Sequence, residues 1–284
     1  MSKGSLPSPS PLLEVRVHDL DLKPGLTGLC AGYELGKWRD EQLADHLMEW
    51  LPEFALRHSE RQSINSATAV KMIKLAARNI FLTDSNTKRG EFGELLLHVA
   101  IRQCFGSIPA ISKIYYKDGP NETVKGFDAV HVVTAKNSLE LWLGEVKFYG
   151  KIGTAISDVV KEIQQHTERN YLREEFAAIV RKIDPQWPQA SLLTRLLDPN
   201  TSLDEIFNCI CIPVMLTYNS PCILKHKSVC AEFEAAFIDE VKRHHDNFSG
   251  KALPKHVRVH LFLLPLKNKA ELAKILLARL RVWQ

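Results

Sequence analysis

Apolar side chains recur in this 284-residue chain with two different periods, which predict both helices and strands. Spacings of three and four residues predict helices over 39–56, 67–81, 89–105, 152–182, 191–197, 228–245 and 267–283. Alternating or continuous apolar runs predict strands over 12–18, 28–35, 111–116, 208–218 and 256–264. The run 208–218 is nearly all apolar, as expected of a central strand covered on both faces. Pro52 is expected to kink or end the first helix.

The most informative stretch covers residues 125–150 and is typical of a β-hairpin, with two β-rich runs on either side of a turn at 134–138. Glu145 and Lys147 alternate with Val146 on the second run, so their side chains share one face of the strand. Asp128 lies on the first run and would approach them if the two strands pair. Charges in such an apolar setting cost free energy unless they pair or hold an ion.

The residue types in this hairpin suit metal-assisted chemistry on phosphate. Carboxylate and carbonyl oxygens are the preferred ligands of Mg²⁺, which lowers the pKa of a bound water and stabilises charge on a phosphoryl oxygen. Lys147 would orient that water or offset phosphate charge. The preceding helix offers a further carboxylate, and Glu94 is expected to point at the sheet rather than Glu91. Neighbouring glycines would allow the helix to approach the sheet closely.

Other residues around the hairpin admit two interpretations. Glu145 and Lys147 alone would also fit an ordinary ion pair on an edge strand. On the helix that follows, Lys161 and Gln165 are one helical step apart and would face either phosphate or solvent. Lys125 and Lys151, together with Lys147, form a modest basic rim consistent with phosphate contact.

Amino-acid composition indicates the class of protein and its location in the cell but does not indicate a particular reaction. The chain is 45% hydrophobic and 25% charged, which is ordinary for a globular protein, and its net charge of +4 permits binding to nucleic acid. No apolar run is long enough to cross a bilayer, so no membrane partner is expected. Six scattered cysteines favour reduced thiols and a cytoplasmic location. The polar run 83–88 predicts a boundary between an α+β N-terminal subdomain, residues 1–87, and a second domain, residues 88–284.

From residue 89 to residue 218 the predicted order is a helix, three strands, helices and a strand, with Glu94, Asp128 and the triplet Glu145-Val146-Lys147 at fixed places in it. This arrangement resembles the PD-(D/E)xK nuclease superfamily, although Phe127 stands where the motif has proline. The resemblance implies an α/β, restriction-endonuclease-like core, with a mixed central sheet flanked by helices. It also implies that Asp128, Glu145 and the Val146 carbonyl bind Mg²⁺ or Mn²⁺. Lys147 would then assist the attacking water, and Glu94 would add a catalytic carboxylate.

Three sequence blocks, at 89–94, 126–128 and 144–147, resemble the HamA family, the effector nucleases of Hachiman anti-phage defence systems. That resemblance implies DNA as the substrate and a superfamily 2 helicase, HamB, as the partner that controls the nuclease. We therefore expect a metal-dependent deoxyribonuclease, with partner docking as the role of the N-terminal subdomain. Two alternatives stay open. One is a non-catalytic DNA-binding or scaffolding subunit, and the other is a metal-dependent hydrolase of nucleotides or RNA.

Overall fold

A computed structural model gives the fold, which is described for residues 8–81, 90–112, 126–135 and 138–283. The N-terminal elements are β1 Glu14–Asp19, β2 Gly25–Cys30, β3 Tyr33–Glu34, β4 Lys37–Trp38, α1 Asp40–Glu49, α2 Leu51–Ala55, α3 His58–Gln62 and α4 Ala69–Phe81. They are followed by α5 Glu91–Phe105, β5 Ile108–Ser112, β6 Ala129–Ala135, β7 Ser138–Phe148, α6 Ile152–His166, α7 Arg169–Lys182, α8 Ala190–Leu196 and α9 Leu203–Phe207. The last elements are β8 Ile210–Asn219, α10 Pro221–Lys225, α11 Ala231–Ser249, β9 Arg258–Leu266 and α12 Lys269–Val282.

A seven-stranded sheet in the order β1-β2-β9-β8-β7-β6-β5 forms the centre of the molecule. Strands β2, β9, β8 and β7 run parallel, whereas β1 and the β5–β6–β7 meander pair antiparallel. The predicted mixed central sheet flanked by helices is therefore confirmed. The predicted central strand is β8, in which every residue except Asn219 is buried. Parallel strands need crossover connections, and helices supply them here.

The predicted hairpin is present, with β6 and β7 antiparallel and Ala129 opposite Gly144. The predicted turn at 134–138 is too long. Strand pairing continues to Ala135 and Ser138, so the connection is only 136–137, which lies outside the described residues. The extended pairing gives β7 eleven residues. At its other end β7 continues from Gly144, opposite the start of β6, to Phe148, where it pairs with β8 near the candidate site.

The N-terminal strands belong to this same sheet, because β2 runs parallel to β9 and pairs β1 on its other side. The predicted boundary at 83–88 lies in 82–89, outside the described residues, so the division into 1–87 and 88–284 stays a prediction. Pro52 sits in the first turn of α2, just after α1 has ended, as its restricted backbone requires. Within the described ranges, no helix is both long and apolar enough to cross a bilayer.

The long helix predicted over 152–182 is two helices, and this is a correction. Its first half ends at His166, and Glu168, two residues on, takes an extended conformation, with φ −66° and ψ 142°. The chain then turns into α7. The break brings the Tyr171 ring onto His166, with centroids 4.3 Å apart and planes 13° from parallel.

Helices α5 and α6 pack on opposite faces of β7, because successive strand side chains alternate. Val146 and Phe148 face α5, where a Cβ built on Gly93 would lie 3.0 Å from Val146 Cγ2 and 2.9 Å from Phe148 Cβ. Glu145 and Lys147 face α6. Gly93 thus permits the close approach of helix and sheet that the sequence predicted at this point.

Replacing Gly93 with alanine is expected to destabilise the fold by about 1–3 kcal/mol, because the added methyl group overpacks the contact with β7. Gly153→Ala is the matched control, since a Cβ at that helical glycine meets no atom within 4 Å. That variant should be neutral or stabilised by about 0.5–1 kcal/mol. Urea denaturation measures both, and equal stabilities for the two variants would contradict the packing described.

Candidate active site

Asp128 is held against β7 by two hydrogen bonds to the strand's backbone, one on each side of Glu145. Its amide donates to the Gly144 carbonyl at 2.7 Å, and its Oδ2 accepts from the Val146 amide at 2.9 Å. The pairing of Ala129 with Gly144 therefore places Asp128 beside Glu145 on the neighbouring strand. The four predicted catalytic side chains are all buried, with exposed fractions of 7% for Glu94, 7% for Asp128, 1% for Glu145 and 9% for Lys147.

A buried carboxylate from α7 fixes the turn that delivers Asp128. Gly126 has φ 144°, a region that L side chains rarely adopt, and a Cβ there would lie 2.9 Å from both carboxylate oxygens of Glu175. The Phe127 amide donates to Glu175 Oε1 at 3.4 Å. Phe127 itself is buried and packs edge-on against His166, with centroids 5.3 Å apart. Glycine is thus required where the chain enters the site.

Helix α6 faces β7 with a ladder of polar side chains at four-residue intervals. Two residues of a strand and four residues of a helix both advance about 6 Å. Every fourth side chain of α6 can therefore contact every second side chain of β7. The resulting hydrogen bonds join Glu162 to Lys147 and His166 to Glu145, and the Asp158 charge acts on Tyr149, which directly follows β7. We refer to Asp158, Glu162 and His166 as the α6 ladder.

Glu145 occupies the least hydrated position of the site. Burial, together with the neighbouring Asp128 charge, raises the pKa of Glu145 to about 7, although His166 acts in the opposite direction. Burial on its own would lower the pKa of His166, but the hydrogen bond and charge of Glu145 outweigh burial and raise it. The two carboxylates therefore repel each other in a dry setting, where a nearby cation would lower the free energy of the charged form.

Lys147 is protonated in this environment. Burial by itself would lower the pKa of Lys147, yet the hydrogen bond and charge of Glu162, with Asp128 and Glu145 beyond it, outweigh burial and raise the pKa. A compact, fixed ammonium group therefore lies between the α6 ladder and the carboxylates. Such a group can attract an anionic substrate.

Glu94, Asp128 and Lys147 line one cleft of about 690 Å³ at the C-terminal end of β7. Lys151 and Lys269 also line this cleft, and Lys269 Nζ lies 4.7 Å from the centroid of the Phe148 ring. Asp158 lines the cleft as well, so the cleft combines three carboxylates with three cationic side chains.

The other predicted nucleic-acid contacts lie elsewhere. Lys161 and Gln165 are exposed on α6 and do not line the cleft, whereas the residue following each of them, Glu162 and His166, faces β7. Lys125 lies outside the described residues. Contact of these three side chains with nucleic acid stays a prediction.

The donor set at the cleft can be compared with what a divalent ion requires. Among the described residues, no group of three or more His, Cys, Asp and Glu side chains is arranged as a ready metal cluster. An all-protein cage is therefore a poor fit. Mg²⁺ and Mn²⁺ are satisfied by one or two carboxylates and several waters, and Asp128 and Glu94 on the wall of one cleft fit that requirement. Glu145 could bind such an ion only if its hydrogen bond with His166 were broken.

Sequence reasoning did not find Glu162, His166, Glu175 or Lys269. The first two carried a signal, since positions 158, 162 and 166 repeat every four residues along the edge of the buried face of α6. Glu175 and Lys269 carried none, because each reaches the site from an element far along the chain.

Fold and cleft together define an α/β protein with buried carboxylates and a lysine at one end of a mixed sheet. The chain belongs to the HamA family, whose model matches residues 10–280. It is also similar to "Anti-bacteriophage protein A" of Escherichia coli (strain K12), with 29% identity over 126 residues. That match covers 44% of this chain and 23% of the relative, so the chain spans less than a quarter of the relative's length.

Stability should fall as pH rises from about 5 to 8, and Glu145→Gln should reduce that slope. The folded pKa of Glu145, about 7, exceeds the ordinary 4.5, so between these values the folded state binds more protons than the unfolded state. His166 acts with the same sign, because its raised pKa gives stabilisation that is lost at high pH. Urea denaturation in EDTA across this range measures the effect.

The matched control is Glu205→Gln, which removes an exposed carboxylate on α9 and should leave the slope unchanged. Equal pH slopes for the wild-type protein and Glu145→Gln would contradict the described burial of Glu145.

Proposed function

We propose that this protein is a metal-dependent DNA nuclease that hydrolyses phosphodiester bonds and acts in anti-phage defence. One observation carries the proposal. Asp128, Glu145 and Lys147 are buried side by side where a cleft lined by both carboxylates and lysines opens at the end of β7. Structural ion pairs are usually exposed, and burying two adjacent carboxylates costs free energy that the fold alone does not require. The burial is consistent with a site selected for its chemistry.

The order of elements around the site supports a restriction-endonuclease-like core. Helix α5 precedes the β5–β6–β7 meander, α6 follows it, and β8 lies parallel to β7. This is the order that the resemblance to the PD-(D/E)xK superfamily leads us to expect. Of the motif residues, the triplet 145–147 lies on β7, Asp128 directly precedes β6, and Glu94 lies on α5. The superfamily assignment forms part of the proposal.

Each side chain has a role that follows from its position. Asp128 and Glu94, with Glu145 and the Val146 carbonyl, would hold the metal ion, which supplies a water of lowered pKa and charge stabilisation at the phosphoryl oxygen. Lys147 holds its proton and attracts the substrate phosphate. Glu162 and His166 are positioning residues, since they fix Lys147 and Glu145 without lining the cleft. Lys151 and Lys269 bind flanking phosphates.

A non-catalytic DNA-binding or scaffolding subunit is the main alternative. Such a subunit would use the basic rim, which Lys151 and Lys269 provide. It has no need for a carboxyl group whose pKa is raised to about 7 by burial next to another carboxylate. The charge distribution therefore favours the enzyme. A hydrolase of nucleotides or RNA has the same site, and parallel assays on duplex DNA, single strands, RNA and free nucleotides distinguish it.

The setting of the activity is proposed from family membership. HamA-family membership and the name of the Escherichia coli relative support a role in defence against bacteriophage. The partner we propose is the superfamily 2 helicase HamB, which would restrain the nuclease until infection. Residues 1–87 are the proposed docking surface. Because β1 and β2 belong to the central sheet, only one outcome of deleting these residues is informative: full retention of helicase binding would contradict that role.

Plasmid degradation by the purified protein, with and without helicase, should require Mg²⁺ or Mn²⁺ and should stop in EDTA. Glu145→Gln is isosteric and should reduce cleavage by about a hundredfold or more, because the charged metal ligand is lost. Lys147→Met should do the same by removing the ammonium group. The control Glu205→Gln changes an exposed carboxylate and should cleave at the wild-type rate. Undiminished cleavage by Glu145→Gln would refute the assignment.

Lys151→Ala should weaken binding to duplex DNA and lower the slope of log affinity against log salt by about 1, because one phosphate contact is lost. Lys161→Ala is the matched comparison, an exposed lysine on the neighbouring helix that does not line the cleft. We expect it to change affinity less than Lys151→Ala. Fluorescence anisotropy in EDTA, at several salt concentrations, separates binding from cleavage. A larger effect from Lys161→Ala would place the DNA on the outer face of α6.

A further inference from the structure

A second cavity, of about 800 Å³, opens at the other end of the sheet and on its other face. Trp142 on β7 forms part of its floor, three residues before Glu145. Because strand side chains alternate, Trp142 lies on the face that α5 covers, whereas Glu145 faces α6. The cavity is therefore separate from the candidate active site.

The cavity exists because helix α5 ends before it covers the whole sheet. Gly106 terminates α5 in the left-handed conformation, with φ 57°, and beyond this point the sheet face is not covered by that helix. Trp142, Cys211 and His260 supply the floor from three adjacent strands. The β1–β2 turn and the loop before β9 supply the walls. A cavity of this size is in the range of small-molecule sites.

Aromatic rings dominate the floor. Phe105, at the end of α5, lies 4.6 Å from Trp142 and 4.9 Å from His260, measured between ring centroids. Burial lowers the pKa of His260 to about 3, so its ring is neutral, and its Nε2 is hydrogen-bonded to Thr27 Oγ1 at 2.8 Å. The floor is thus aromatic and uncharged, with its rings tilted against one another, and it suits contact with a further aromatic ring.

The rim of the cavity is cationic. Lys23, Lys251, Lys255 and Arg258 line it, and Glu140 is the carboxylate among the lining residues. Glu140 Oε2 accepts from Arg258 at 2.5 Å and from the Trp142 indole at 3.1 Å. One arginine therefore balances the one carboxylate. The three lysines leave the rim with a net positive charge, which is more than a single carboxylate or sulfonate on a ligand would offset.

We propose that this cavity binds a nucleoside di- or triphosphate, with its base against the aromatic floor and its phosphates at the lysine rim. The size of the cavity, the uncharged aromatic floor and the excess of lysines on one rim select this ligand class. The binding is independent of the proposed nuclease, because it uses none of the residues of the catalytic cleft.

Isothermal titration of the full chain with ATP and with ADP, in EDTA, tests the proposal while leaving the nuclease without metal. Lys251→Glu/Lys255→Glu should weaken ATP binding by about tenfold or more, because two charged phosphate contacts are lost. Lys71→Glu/Lys74→Glu makes the same charge change on exposed positions of α4 and should bind as the wild-type protein does. No ATP binding, or equal affinity in the rim variant and this control, overturns the proposal.

Two further arms identify what the cavity recognises. ATP should quench tryptophan emission in the wild-type protein, and Trp142→Phe should retain ATP binding but lose most of that quenching. Adenosine and inorganic tripolyphosphate should each bind more weakly than ATP, because each supplies only half of the contacts. Tripolyphosphate that binds as tightly as ATP would show a general polyanion site and overturn the proposal. A single-stranded oligonucleotide that displaces ATP and binds more tightly would overturn it in favour of a nucleic-acid path.

Discussion

The free-energy cost of burying Glu145 beside Asp128 is the constraint on which the candidate site depends. Glu145 is 1% exposed, and its pKa is raised to about 7 by burial and by its neighbour. A carboxylate in that position must be compensated by positive charge or by hydrogen-bond donors. His166 provides that compensation for Glu145, and the Val146 amide provides it for Asp128. The surrounding structure places each of these partners within hydrogen-bonding distance of its carboxylate.

The β6–β7 hairpin and the α6 ladder together determine these positions. Pairing of β6 with β7 places Asp128 opposite Glu145, and the shared 6 Å step of strand and helix places each ladder residue opposite its partner. The break at Glu168 then folds α7 back, so that Tyr171 stacks on His166 and Glu175 holds the turn before Asp128. Two helices thus converge on one short turn and one strand end.

The sequence predicted the elements whose pattern is local and could not predict contacts that come from distant elements. The hairpin, the buried strand β8 and the pairing of Asp128 with Glu145 follow from alternation and from apolar runs. The break within 152–182 was missed, because apolar spacing continues through it and the break is a change of backbone conformation at Glu168. Lys161 and Gln165 were chosen for their chemistry, although the period of α6 turns Glu162 and His166 inward.

The most direct test of this account is a titration of the intact protein with Mn²⁺, in which isothermal calorimetry measures the binding. The account predicts saturable binding that Asp128→Asn weakens by about tenfold or more, because a charged ligand is lost. Asp246→Asn, which removes a carboxylate with an 81% exposed side chain, should bind as the wild-type protein does. Absence of binding, or equal binding by Asp128→Asn, would contradict the claim that the buried carboxylates are held together for a cation.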